Sequence, residues 1–248
     1  MSGLLLRLAG PMQSWGERSA FDARDTAAFP TRSGLLGMIA AAQGRARGES
    51  LEDLAELDFT VRVDRPGVRM VDYHTAGGGL PAGFKIPTAD GKGRPRDKGT
   101  LQTWREYLAD AVFVVAVTGP EDVVTGARDA LREPHWQPYL GRRSCPPAQP
   151  LLLDKPVSDP VTELVESVPV ARVVGRGERP IDVDLIRSDG DPAEVSSEIQ
   201  DIPTRFGGRD RDYRLRPVWI ESRALPASLG VRSLRDYPEK LIEYVMGE

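Results

Sequence analysis

The chain has 248 residues, 40% of them hydrophobic and 28% charged, with 37 acidic against 33 basic side chains for a net charge of −4. Such a length accommodates one large domain or two small ones with a real core, and no apolar run approaches the ~18 residues that a membrane-crossing helix needs. One cysteine, Cys145, excludes an internal disulfide, and two histidines, His74 and His135, leave no Cys/His set for zinc, so neither metal nor other cofactor is expected. The first residues lack the basic-then-apolar pattern of a secretory leader, and the expected location is the cytoplasm.

Leu4 to Leu8 reads as a short apolar strand that Gly10-Pro11 breaks. The break should lift Gln13 and Ser14 out of the sheet as polar contact residues, while Trp15 can either stack on a base or cap the core. From Arg24 to Gly44 an arginine-bearing loop runs into a helix. Pro30 keeps the helix from starting earlier, Ser33 can cap it, and Gly44 can end it in the left-handed conformation. Leu35, Leu36, Met38 and Ile39 are apolar around most of its circumference, so it should be buried. Its free N–H groups favour an anion, with Thr31 and Arg32 beside them; an ordinary, well-capped core helix is the other reading.

Phe59 to Asp64 alternates as a strand, Pro66-Gly67 turns the chain, and Val68 to Tyr73 should return as its hairpin partner. Between Thr75 and Gly99 lies a Gly/Pro-rich insertion too long for a turn, where Lys85, Lys92, Arg94, Arg96 and Lys98 face only Asp90 and Asp97. Trp104 and Tyr107 stand at its base. Ala111 to Val117 is a continuous apolar strand that either extends the hairpin or replaces one partner, and Glu121 to Arg132 is an amphipathic helix. The order β-α-β-β-α suits an α+β, ferredoxin-like or RRM-like sheet with helices on one face, over residues 1–150. Residues 151–248 form a smaller, mostly β region, in which Leu151–Leu153 precedes an acidic, valine-rich segment, Ile181–Ile186 is strand-like, Arg214–Arg223 alternates and Pro238–Met246 can form a short helix.

In Tyr139-Leu-Gly-Arg-Arg-Ser-Cys-Pro-Pro147, Gly141 permits a close backbone approach and Arg142 and Arg143 offer forked donors for phosphate. Cys145 reads as a small packing residue. Acidic residues gather between Asp159 and Asp201, and basic ones in 18–47, 85–105 and 205–235, a polarity that can present a positive groove on an acidic chain. No phosphate-binding loop, nucleophile elbow, zinc-protease motif or paired metal carboxylates occur. Only Tyr73, His74 and Lys85 can supply an acid, a base and a cation for metal-free RNA cleavage.

Several blocks of this sequence, in order, resemble the CasD family: Gly10-Pro-Met-Gln-Ser-Trp-Gly16, Arg24-x-Thr-x-x-Phe-Pro-Thr-Arg-Ser-Gly-Leu-Leu-Gly37, Asp72-Tyr-His-Thr75, Thr103 to Ala111, Tyr139 to Pro147, and Asp201-Ile-Pro203 followed by an arginine-rich loop. The resemblance implies a non-catalytic subunit of the type I-E CRISPR complex Cascade that caps the 5′ handle of CRISPR RNA. Arg24, Arg32, Arg142 and Arg143 would then neutralise phosphates, and the Ser33 and Gly34 amides, with Thr31, would cradle one. Gln13, Ser14, Trp15, His74 and Tyr139 would touch bases or sugars. The insertion, about 75–105, would be a β-hairpin thumb against the backbone subunit CasC, with the large subunit CasA nearby, CasE reached through the shared guide and target DNA met indirectly. Two other classes stay open: a metal-independent endoribonuclease using Tyr73, His74 and Lys85, and a structural cap that touches RNA little.

Overall fold

The computed structural model describes residues 3–18, 22–77, 81, 83–88, 92–95, 99–175, 179–205 and 212–247. In chain order the first elements are β1 (Gly3–Ala9), β2 (Met12–Gln13), β3 (Ala23–Arg24), α1 (Arg32–Ala42), β4 (Asp58–Arg65), β5 (Val68–Gly77), β6 (Thr100–Ala109), β7 (Val112–Thr118) and α2 (Glu121–Arg132). They are followed by β8 (Leu152–Val157), α3 (Pro160–Glu166), β9 (Ile181–Arg187), β10 (Ser197–Arg205), β11 (Asp212–Leu225) and α4 (Tyr237–Met246).

A seven-stranded sheet in the order β10-β11-β9-β4-β7-β1-β8 spans most of the chain, and each neighbouring pair in it is antiparallel. Leu35, Leu36 and Ile39 of α1 and Val124, Ala127 and Leu131 of α2 share a core with Leu4, Leu6, Leu8, Phe113 and Val115. The alternate residues Leu5, Val112, Val114 and Leu153 pack instead with Leu164 of α3 and Tyr237 and Leu241 of α4. Helices therefore cover both faces, where one was expected, and this is why β7 is a continuous apolar run and β1 is one but for Arg7.

The β-rich region beyond residue 150 is continuous with this sheet, since β8 pairs β1 while β9, β11 and β10 extend it beyond β4. The expected strands over 59–64, 111–117 and 181–186 and the helices over 121–132 and 238–246 are all present within a residue or so. The hairpin between 59–64 and 68–73 is not. Both edges of β4 are taken, by β7 and β9, so the alternative partner Ala111–Val117 holds that place. Gly67 turns the chain out of the sheet at φ +74, where a side chain would strike the Ala109 carbonyl and Ala111.

β5 pairs β6 instead, in unbroken register from Val68↔Ala109 to Gly77↔Thr100. With β2 and β3, which also pair β6, they make a second, four-stranded sheet. The Thr75–Gly99 insertion joins the far ends of this ribbon. Residues 78–80, 82, 89–91 and 96–98, among them Asp90, Arg96, Asp97 and Lys98, lie outside the described residues, as does the arginine-rich stretch 206–211.

Beneath α3 the Arg62–Asp64 pair is fully buried, with Arg62 Nε 2.6 Å from Asp64 Oδ1. The Arg62 guanidinium also donates to the carbonyls of Leu164, Val168 and Pro169, and Asp64 accepts from the Ala171 amide. Two charges on one strand thus bind the end of α3 and the irregular 167–172 segment to the sheet. Breaking such a buried pair from one side costs about 3–5 kcal/mol. Asp64→Ala should lose stability of that order in urea denaturation, whereas a loss like that of an exposed pair would show that the segment holds without it.

Candidate nucleic-acid interface

The groove that the fold builds runs along α1, has a volume of about 980 Å³, and is walled by the 14–16 turn, the 45–47 segment and the 136–146 loop. Arg24, Arg45, Arg47, Arg142 and Arg143 line it, together with Trp136, Tyr139 and Tyr213, and among the described residues no aspartate or glutamate does. On a chain of net charge −4, this is a segregated positive surface.

Its floor is the 13–15 segment, and that segment is buried. Gln13 is fully enclosed; its Nε2 donates to the carbonyls of Leu8 and Ala111, both at 2.9 Å, and its Oε1 accepts from Trp15 Nε1 at 3.1 Å. Ser14 Oγ donates to the Glu106 carbonyl of β6, and its amide donates to Leu140 O. Trp15 packs its ring under Gly34, where an added Cβ would lie 2.8 Å from the indole, and its amide donates to Thr26 Oγ1. The expectation that Gly10-Pro11 lifts Gln13 and Ser14 into solvent is corrected: the break turns them down between the two sheets. Trp15 is core, and 1% exposure leaves no face for a base.

Thr31, not Ser33, caps α1, accepting from Gly34 N–H at 3.3 Å. Gly44 follows the helix at φ +75, as expected. The anion at this N-terminus is the protein's own. Asp201 Oδ2 accepts from the Arg32 amide at 2.6 Å, and Arg216 holds the same carboxylate through Nε at 2.7 Å and Nη2 at 3.1 Å. Asp201 reaches it because the β10–β11 register shifts between Gln200 and Ile202, a bulge that re-aims one side chain. With the Arg32 and Gly34 amides engaged, a Ser33–Gly34 amide cradle is not available.

The Arg32 side chain also points away from the groove. It donates to Ala55 O, lies 3.7 Å from Asp58, and stands over the Phe59 ring. Burial, helped by neighbouring Arg216, lowers its pKa against the opposing pull of Asp58 and Asp201. It is a packing cation, not a phosphate ligand.

Arg24, Ser33, Gly34, Tyr139, Arg142 and Arg143 do converge on the groove. Arg142 lies 4.8 Å over the Tyr107 ring and donates through Nη2 to the Arg24 carbonyl at 2.9 Å, while its Nη1 is buried without a partner. No described residue pairs with the side chains of Arg24 or Arg143. Arg24 is in register with Arg105 on β6, and paired residues of adjacent strands share a face, so both stand on the side of Tyr107. Burial raises the Cys145 thiol pKa, as befits a packing residue.

His74 is outside the groove. It stands on β5 opposite Thr103, 3.9 Å from Asp72. Tyr73 points to the other face, where its ring meets Trp104 at 5.3 Å. Among the described residues, no group of three or more His, Cys, Asp or Glu could hold a metal ion.

A family model described as CRISPR-associated protein (Cas_Cas5) matches residues 3–219. The chain belongs to this family. It is 41% identical over 186 residues to the CRISPR system Cascade subunit CasD of Escherichia coli (strain K12), covering 68% of this chain and 78% of that one. A solved chain of a "CRISPR RNA-guided surveillance complex" superposes with a TM-score of 0.89 at 51% identity, over 98% of this chain and 99% of the other. A "Crystal structure of Cas protein" gives a TM-score of 0.63 at 32% identity, over 94% and 99%.

Reading the sequence missed Arg45, Arg47, Trp136 and Tyr213 as groove residues. Arg45 and Arg47 follow the glycine that ends α1, which was the available signal; Trp136 and Tyr213 arrive from distant segments. Gly141, by contrast, does what its place suggested. At φ +80, an added Cβ would lie 1.7 Å from the Ser14 carbonyl. Gly141→Ala should therefore cost clearly more than about 1 kcal/mol in denaturant unfolding. Gly48→Ala is the reference, since its φ is +96 but nothing lies within 4 Å. Equal losses in the two variants would contradict the close packing of the 139–147 loop on Ser14.

Proposed function

We propose that this chain is a CasD-type subunit of a CRISPR RNA-guided surveillance complex and that its groove holds the 5′ handle of CRISPR RNA. The observation that carries the reading is the groove lining, which among the described residues holds five arginines and no carboxylate, on an acidic protein. Arg24, Arg142 and Arg143 neutralise phosphates, and Tyr139 and the Ser33 hydroxyl meet bases or sugars. Irregular single-stranded RNA is the form that suits such a site, because its splayed bases can enter a groove that a duplex cannot.

The family likeness and the strand order β8-β1-β7-β4, with α1 and α2 as its two crossovers, support a ferredoxin-like RNA-binding unit in the first 150 residues, closed by β8. The β-rich remainder buttresses it through Asp201. The β5–β6 ribbon is the base of the thumb, and His74 on it meets RNA leaving the groove. CasC takes the thumb, CasA docks nearby, and CasE and target DNA are reached through the guide. No chemistry is assigned to the chain. Tyr73 and His74 occupy opposite faces of β5, so they cannot flank one phosphodiester from the same side.

Arg24→Glu/Arg143→Glu alters two exposed cations whose side chains pair with no described residue. In the assembled complex it should reduce guide retention without loss of assembly, and flatten the slope of log affinity against log salt by about 0.7 per phosphate contact removed. Unchanged retention and slope would overturn the groove reading. For the absence of chemistry, His74→Ala should leave processing of precursor RNA by the whole complex intact; loss of processing with guide binding preserved would assign the enzyme to this chain.

A further inference from the structure

The groove does not end at the N-terminus of α1. From Ser33 to Arg45 the helix and its cap carry the lining about 18 Å at 1.5 Å per residue, and the far end has its own chemistry. Arg45, Arg47, Trp136 and Gln137 stand there. Trp136 is held in place from behind. The His135 amide donates to the Ala42 carbonyl at 2.8 Å, the His135 ring covers Gly44, and the two rings meet edge-on at 4.8 Å between centroids. Held in this way, Trp136 is still 46% exposed and presents its open side to the groove.

The cations beside it divide in two. Arg45 is clamped by Asp53 through both carboxylate oxygens and donates to the Ser50 carbonyl, and the Asp53 hydrogen bonds raise its pKa. Arg47 is exposed and pairs with no described residue. A fixed aromatic face beside an uncommitted guanidinium is the pairing that single-stranded nucleic acid uses, base on ring and phosphate on cation.

Resting on the groove reading above, we propose that the C-terminal end of α1 is a second nucleotide subsite, in which one unpaired base stacks on Trp136 and its phosphate is taken by Arg47. The guide then crosses α1 from end to end, bound first by Arg24, Arg142 and Arg143 and last by Trp136. Because stacking accepts any base, this subsite fixes the path of the RNA and not its sequence.

The test uses the assembled, guide-loaded complex with 2-aminopurine placed in turn at each handle position. One position should be strongly quenched; Trp136→Ala should relieve that position alone and weaken guide retention about tenfold. Trp136→Phe should restore most of the quenching, and Arg47→Glu should weaken retention with Trp136 intact. If neither Trp136→Ala nor Arg47→Glu changes any position while Arg24→Glu/Arg143→Glu releases the guide, the second subsite is wrong and the groove reading stands. If all of these variants are silent, the groove reading falls and the subsite with it.

Discussion

The amide of Gln13 joins the two sheets and the groove floor, and the site depends on it. Its Nε2 closes the Leu8 and Ala111 carbonyls, where β1 ends and β7 is about to begin, and its Oε1 fixes the Trp15 indole. The indole in turn supports Gly34 at the first turn of α1. The same segment, through Ser14, takes the 139–147 loop on its backbone and β6 on its hydroxyl. Arg142 and Arg143 thus project from a loop anchored on this floor, and groups supported from behind in this way are presented in a fixed geometry.

Segregation of charge is the second constraint. An acidic protein keeps a positive groove only if its carboxylates are used elsewhere. Asp64 is consumed inside by Arg62, Asp53 is taken up by Arg45, and Asp201 is placed at the start of α1. Asp201 has a further consequence. By filling the helix N-terminus and binding Arg216, it couples the β10–β11 pair to α1, and Tyr213 of β11 reaches the groove. Arg24, Arg47 and Arg143 are left in the groove with no partner among the described residues.

Much of the scaffold was legible because period and punctuation agree. The strands at 59–64 and 111–117 and the helix at 121–132 carry clear patterns bounded by glycine or proline. Pairing was less legible. Alternation identifies a strand but not its neighbour, and Val68–Gly77 finds its partner across a long insertion. In the site, the close approach at Gly141 was legible, because its place between Leu140 and two arginines calls for a residue without a side chain. Gln13 and Ser14 were misread since polar side chains after a Gly-Pro break look solvent-bound, and nothing local reveals two buried carbonyls awaiting an amide; for Trp15 the structure selects the core over the base, the two readings its place leaves open. Arg32 failed for a similar reason: the carboxylate that fills its helix end comes from 169 residues away.

The claim at the centre of this account is that RNA lies along α1, between the 13–16 floor and the 136–146 loop. Photocrosslinking of a guide bearing 4-thiouridine along its handle, in the intact complex, followed by mass spectrometry of this subunit, reads that path directly. The account predicts crosslinked peptides containing residues 24, 45–47, 136–139 and 142–143. Crosslinks confined to the acidic 182–198 surface, with none on those segments, would contradict it.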